Sequence, residues 1–360
     1  MKKITLFIAA IMASAAMFAE GTFTIEKLWE NTNVPGMADV RQGLGWDSVF
    51  YATDKAKKKV LKITKDATVD YATLASNSVA ISVDAAGNLI VGSGFSGTKL
   101  NTLQLIKKGT TTVEQVSMPE QAGRIDIFSA ATGDVYSAEG GDLYLLGNTY
   151  ANVVRVHIAN GAVEKVDTVT NFEWAADKLA NNTSLAIPTV GGNILVNNRT
   201  AKLVTLWNVA ENKEEAIELP DVNQYTAGFC NFELGGKEFY AYNLGTNYAA
   251  TWNLYNITDK VLLNEDPLYV KNTTGANSNS SANFLNCQKV DDNTVMIYQY
   301  HPVNGAAMWK VTYTPAEDPG LGTAVDNTIV APQVQKIVRN GQVLIIRDGK
   351  TYNMMGQEVK

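Results

Sequence analysis

The sequence predicts an all-β chain folded as a β-propeller of six blades, with seven blades or a pair of β-sandwiches as the alternatives. Three observations predict it. A turn rich in Gly, Asn or Asp, followed by a short apolar strand, recurs along the body of the chain. Within each recurrence apolar and polar residues alternate, which is the pattern of a half-buried strand and not of a helix. The composition also suits turns better than salt-bridged helices: 360 residues hold 28 Gly and 33 Asn but only 18% charged side chains, against roughly 25% in ordinary soluble domains.

From the N-terminus, Lys2 and Lys3 precede an apolar run from Ile4 to Phe18 that ends among small residues, Ala13 to Ala16 and Ala19. A basic start, a short apolar stretch and small residues before a cleavage point read as a secretory signal peptide over residues 1–19. The run is shorter than the ~20 residues that a membrane span needs. An exported protein with no transmembrane anchor after signal removal is therefore expected, in the periplasm, at the cell surface or outside the cell. Removing both lysines leaves 28 Lys and Arg against 36 Asp and Glu, a net charge of -8. With no basic stripe, nucleic acid is excluded as a partner.

The propeller is expected over residues 20–313. Its recurrent unit appears as Asp84-Ala85-Ala86-Gly87-Asn88-Leu89-Ile90-Val91, Glu139-Gly140-Gly141-Asp142-Leu143-Tyr144-Leu145 and Gly191-Gly192-Asn193-Ile194-Leu195-Val196. Further copies begin at Gly235 and Asp291, and a degenerate one runs from Gly45 to Tyr51. The anchors Val49, Leu89, Leu143, Ile194, Phe239 and Val295 lie 40, 54, 51, 45 and 56 residues apart, about 49 on average. Each interval holds a second alternating run, so four strands fit each unit, as in a propeller blade. Asn160-Gly161, between Val153–Ile158 and Val163–Val169, suits a type I′ hairpin turn. A blade cannot bury both faces alone, so the ring must close. Thr22–Leu28 precedes the first unit, while the last unit ends at Tyr313 without an outer strand. The N-terminal run is expected to supply it.

Between the third and fourth units, Phe172, Trp174, Ala175, Ala176 and Leu179 have helical spacing. A short helical insert over Asn171–Asn182 is expected there, with Trp174 a candidate ligand contact. Trp207, Trp252 and Trp309 recur at equivalent places in the last three units and are assigned to packing between blades. Cys230 and Cys287 both sit in apolar strand-like runs. Two separate core thiols are the simpler reading, and an exported compartment permits a disulfide.

Chemistry-bearing patterns are mostly missing. The two histidines, His157 and His301, fall in different units, and no ligand spacing supports a metal or another cofactor. There is no Gly-x-Ser-x-Gly elbow. Gly92 to Gly97 matches G-x-G-x-x-G, but an alternating run follows it where a phosphate-binding helix would have to start. It reads as a hairpin loop. The candidate ligand residues are Arg124 and Asp126, spaced to share one strand face, and Asp39 and Arg41, which repeat that alternation in the first unit. Inner propeller strands line the central channel, where such groups meet a polar ligand or pair with each other. Carboxylates there could also divide acid and base work.

Residues 314–333 are a linker by composition, and residues 334–360 a tail with a second hairpin signal at Asp348-Gly349. The stretch Asn340-Gly341-Gln342 to Asp348-Gly349-Lys350-Thr351-Tyr352-Asn353-Met354-Met355-Gly356-Gln357-Glu358-Val359-Lys360 resembles the C-terminal sorting domains of the type IX secretion system of Bacteroidota. The resemblance implies a protein that crosses the outer membrane or stays at the cell surface. The body is similar to exported Bacteroidota propellers, and Val83 to Leu89 resembles the turns of NHL-repeat and gluconolactonase-like propellers; the lactonase metal ligands have no counterparts here. Asp47-Ser48-Val49 and Asp167-Thr168-Val169 resemble the acceptor for O-glycosylation of exported Bacteroidota proteins, which makes Ser48 and Thr168 modification candidates. The function expected is a non-catalytic binding module for glycan or extracellular protein. The alternative is an extracellular hydrolase or lyase that acts on carbohydrate through channel carboxylates.

Overall fold

Among the described residues of the body, twenty-four strands form six small antiparallel sheets. The computed structural model describes residues 21–33, 40–92, 99–121, 124–147, 151–180, 184–198, 203–222, 228–244, 251–270, 284–302, 304–316, 335–339, 342–347, 350–353 and 359. The chain divides into two compact units, and Glu20–Pro315 is the larger.

The first strand, β1 (Thr22–Asn31), belongs to the last blade. Blade 1 is β2 (Val40–Trp46), β3 (Val49–Asp54), β4 (Lys59–Ile63) and β5 (Thr68–Thr73), paired in that order. Blade 2 is β6 (Ile81–Val83), β7 (Leu89–Gly92), β8 (Leu100–Ile106) and β9 (Glu114–Gln121). Blade 3 has β10 (Gly141–Leu145), β11 (Val154–Ala159) and β12 (Ala162–Thr168). Blade 4 is β13 (Leu185–Pro188), β14 (Ile194–Asn198), β15 (Leu203–Asn208) and β16 (Lys213–Ala216). Blade 5 is β17 (Phe229–Leu234), β18 (Lys237–Asn243), β19 (Thr251–Asn256) and β20 (Val261–Leu262), with β21 (Leu268–Tyr269) also on β19. Blade 6 is β22 (Phe284–Asp291), β23 (Thr294–His301), β24 (Gly305–Thr314) and then β1. The protein is a six-bladed β-propeller, and each of the six sequence anchors lies in a different blade.

The turns explain why the unit repeats. Asp84 Oδ1 accepts the N–H groups of Ala86 at 2.9 Å and Asn88 at 2.8 Å, which folds the chain back between β6 and β7. The predicted Asn160-Gly161 turn joins Ala159 to Ala162 with φ of 50° and 72°, both left-handed as type I′ requires. Asp47-Ser48 makes an equally tight link from Trp46 to Val49 with φ of 50° and 64°, an unusual setting for two residues with side chains.

The ring closes as expected, because β1 pairs antiparallel with β24 from Thr22↔Thr314 to Asn31↔Ala306. The adjoining seam is tight. Asn286 of blade 6 accepts from Gly45 N at 2.9 Å and donates to Gly45 O at 2.7 Å. A methyl group at Gly45 would lie 2.0 Å from the Tyr298 ring, so only glycine permits this approach. Elsewhere aromatic residues fill the gaps between sheets: Trp252 of blade 5 meets Trp309 of blade 6 edge-on at 5.5 Å. The predicted inter-blade role holds for this pair.

Two expectations change. The Asn171–Asn182 insert contains a single 3₁₀ turn, Ala176–Lys178, and not an amphipathic helix. Phe172 and Trp174 stack on each other at 4.3 Å and pack on Trp207, so their spacing reflects an aromatic plug. Arg124 to Asp126 are not on a strand; residues 124–133 run irregularly where the innermost strand of blade 3 would be. Thr132 and Asp142 exchange backbone bonds at 3.0 and 3.2 Å, and Ala131 N reaches Val83 O at 2.9 Å, so the stretch still occupies that place. After Gly92, β8 pairs back on β7, as the hairpin reading expected.

In the smaller unit, Gln335–Arg339, Gln342–Arg347 and Lys350–Asn353 form a three-stranded antiparallel sheet. The Arg347↔Lys350 pairing matches the hairpin read from Asp348-Gly349. Among the described residues no helix is long and apolar enough to cross a membrane.

Candidate functional site

The innermost segments of the blades converge on a hub. At the end where β2 and β6 finish, the hub opens into a cavity of about 460 Å³ to which all six blades contribute. Its wall is apolar: Val83, Ala131, Ile187, Phe229 and Leu285. Each comes from the inner segment of a different blade, and all five are buried. Thr132, Thr189, Asn231, Gln288 and Lys289 add hydrogen-bonding groups, and Trp46 and Val190 stand at the edge. Val190 is 49% exposed, which places it at the mouth.

Polar groups of the cavity are largely committed to holding the ring. The Asp84 carboxylate accepts from Ala86 N, Asn88 N, Asn88 Nδ2 and Val135 N, all within 2.9 Å. Asn286 is occupied with Gly45, and Asn231 Oδ1 accepts from Val190 N at 2.6 Å. Asp84 is the carboxylate lining this cavity, and its lone pairs are spent on backbone and amide donors.

The two thiols are neighbours and not separate core residues. Cys230 and Cys287, on the inner strands of blades 5 and 6, are free and line the same cavity. Cys287 Sγ donates to Asn231 O at 3.4 Å. Burial, and then the adjacent Cys287 thiol, push the Cys230 thiol well up from its ordinary value. Cys230 is therefore a protonated and unreactive thiol at neutral pH.

The residues singled out from sequence lie elsewhere. Arg124 Nε donates to Asp126 Oδ1 at 2.7 Å, and Arg124 Nη2 binds Asp126 Oδ2, a bidentate pair. They precede the cavity-lining stretch Ala130–Gly133 and do not line the cavity. Asp39 and the Arg41 side chain lie outside the described residues; the Arg41 backbone is in β2, toward the end opposite Trp46. Trp174 is half-buried in the aromatic plug. Ser48 is exposed in its two-residue turn, and Thr168 is exposed at the end of β12, so both hydroxyls have the accessibility that a glycan needs. The hub residues escaped the sequence reading because each comes from a different unit. The available signal was positional: each belongs to the innermost strand or segment of its unit.

No family model matches the chain, and no curated protein matches it in sequence. Among solved structures, it is similar to a streptogramin B lyase at 9% identity and a TM-score of 0.44, over 91% of this chain and 96% of that one. It is similar to the PQQ-bound aldose sugar dehydrogenase of Streptomyces coelicolor at 7% identity and 0.46, over 81% and 98%. A protein of unknown function from Bacteroides caccae gives 10% identity and 0.38, over 73% and 82%. Likenesses this distant carry no argument about activity.

Proposed function

We propose that this protein is an exported, non-catalytic binding module whose extracellular ligand, a glycan, seats at the hub cavity. The observation that carries the reading is the cavity itself: an apolar wall from five blades, Trp46 of the sixth at its edge, hydrogen-bonding side chains among them, and a lining carboxylate engaged by four donors. Such a site has surface for the C–H face of a sugar and donors for its hydroxyls. Among the described residues it has no acid and base pair free to act on a bond. An extracellular protein segment that inserts an apolar side chain is the competing ligand, and a glycan panel separates the two.

The test uses the Trp46 indole at the rim as a fluorescence reporter during titration with soluble polysaccharides. Val190→Arg, at an exposed position, should block the mouth and abolish binding with an unchanged melting temperature. Binding that survives Val190→Arg would place the ligand elsewhere. The alternative, a hydrolase or lyase acting through Arg124 and Asp126, predicts release of reducing ends or unsaturated sugars that Asp126→Asn removes. If the pair is structural, Arg124→Ala leaves a buried carboxylate and costs ~3–5 kcal/mol with no change in ligand binding. Export and modification of Ser48 and Thr168 belong to the same reading. Native protein that keeps residues 1–19, or has the bare polypeptide mass after their removal, counts against them respectively.

A further inference from the structure

Beside the hub, the crevice between blades 1 and 2 holds a second cavity of about 290 Å³, and Trp46 borders both. Its construction follows from strand alternation. Tyr51 on β3 stands opposite Lys62 on β4, so both project from the same blade face. Tyr71 joins them through a bulge: Val60 pairs with Ala72 and Leu61 with Asp70, which leaves Tyr71 as the extra residue. Bulges re-aim side chains, and this one brings the Tyr71 ring to 5.1 Å from that of Tyr51 at 57°. The Tyr71 hydroxyl donates to Thr110 O of blade 2 at 2.5 Å, which fixes the ring across the seam.

The polar groups here contrast with those of the hub. Lys62 is half-buried, and among the described residues its ammonium has no ion-pair or hydrogen-bond partner. The Tyr51 hydroxyl likewise has none among the described residues, and burial raises its pKa to about 12, so it remains a donor. Lys108 reaches Asp47 at 3.7 Å over the rim. The cavity therefore offers an aromatic floor, an uncommitted cation, an uncommitted hydroxyl and one rim carboxylate. Lys62 thus presents a positive charge with no counter-charge of its own among the described residues, which an anionic ligand would supply.

We infer that this crevice is a subsite for one hexuronate residue of an acidic glycan. The ring's C–H face lies on Tyr51 and Tyr71, its carboxylate meets Lys62, and its hydroxyls meet the Tyr51 hydroxyl and Asp47. A cavity of about 290 Å³ is at the small end for ligand sites and suits a single ring. The tilt between the tyrosines forms no flat slot for a planar aromatic acid. Asp47 is an acceptor at the rim, which suits the hydroxyl groups of a sugar and not the acceptor-only oxygens of a phosphate. The inference deepens the glycan-binding reading and rests on it, since the shared Trp46 makes the crevice a lateral extension of the hub.

The experiment is calorimetric titration of the mature chain with methyl galacturonoside and with neutral methyl galactoside. The acid is expected to bind with a Kd near ~1 mM and the neutral sugar at least about tenfold more weakly. Lys62→Met should weaken the acid about tenfold without lowering the melting temperature, and Tyr51→Phe about threefold. Raising salt should weaken the acid alone. Val190→Arg should leave the monosaccharide untouched while it abolishes polysaccharide binding at the hub. Equal binding of the two sugars, indifference to Lys62→Met, or no binding of the acid overturns the subsite. In those cases polysaccharide binding sensitive to Val190→Arg would leave the hub reading standing.

Discussion

Blade 6 is assembled from the two ends of the body and pairs four strands along their lengths, whereas blade 3 pairs three and gives its innermost place to irregular backbone. In blade 6 the ladder itself satisfies the peptide groups. In blade 3 buried side chains do so. Gln42, with no exposed surface, donates from Nε2 to Phe128 O at 2.5 Å and accepts from Phe128 N at 3.0 Å and Ile81 N at 2.9 Å. One side chain thus substitutes for a strand neighbour and ties blade 1 to blades 2 and 3. Asp84 acts similarly on Val135 N, and Asp134 on Tyr136 N and Asn88 Nδ2. Backbone that leaves the ladder near a hub must find partners, and side chains can supply them.

The sharpest way to break this comparison is to remove β1. Deleting residues 20–31 strips blade 6 of its outer strand and exposes β24, and the far-ultraviolet melt should lose its single cooperative transition. A deletion variant that melts like the intact chain would show that the clasp is dispensable. Next comes Gln42→Leu, which orphans two N–H groups and one carbonyl; at ~1–3 kcal/mol each, a loss of about 3–9 kcal/mol is expected from denaturant titration. If blade 3 is held by packing alone, the loss will be below about 1 kcal/mol.

Gly45→Ala tests the opposite seam. Its methyl group must displace the Tyr298 ring, and overpacking of this kind costs about 1–3 kcal/mol. Tyr298→Leu in the same chain should return part of that loss.

Alkaline pH acts on the seam more gently. Burial raises the Tyr298 hydroxyl to about 12 and pushes Tyr300 up as well. A phenol with a raised pKa in the folded state is protonated there while the unfolded chain ionises near 10. Stability from these groups is therefore complete below pH ~10 and is lost as pH rises toward 12. Melting temperatures measured from pH 8 to 12 should be level and then fall, with a shallower fall in Tyr298→Phe. The smallest effect is chemical. Cys230 should resist iodoacetamide in the folded ring and react only after denaturation, whereas rapid native labelling would mean that the hub between blades 5 and 6 opens.

The ring was legible in the sequence because its signals are local. Turns such as Asp84–Asn88 and Asn160-Gly161 declare themselves within a few residues, and the lone run Thr22–Leu28 could pair only with an unfinished blade. The site was not legible, because it is made between units. Tyr51, Lys62 and Tyr71 meet through a bulge that no pattern announces, and Lys108 arrives from the next blade. Arg124 and Asp126 stood out because they are charged neighbours in an apolar stretch, and the same proximity lets them satisfy each other. Spacing marked the pair; it did not reveal where the pair points.

Closure by β1 and β24 also sets the order in which the molecule can be made. The earliest strand of the body to leave the ribosome is partnered by the last, with Thr22 waiting for Thr314. Until then its edge is open, and so is the flank of every nascent blade that lacks a neighbour. A contact so distant in sequence can form only when nearly all of the body has been made, whereas the hairpins within each blade are local. Closure of the ring is therefore the last pairing of the body to become possible, and until Gly305–Thr314 has been made the outer edge of blade 6 has no partner for Thr22–Asn31.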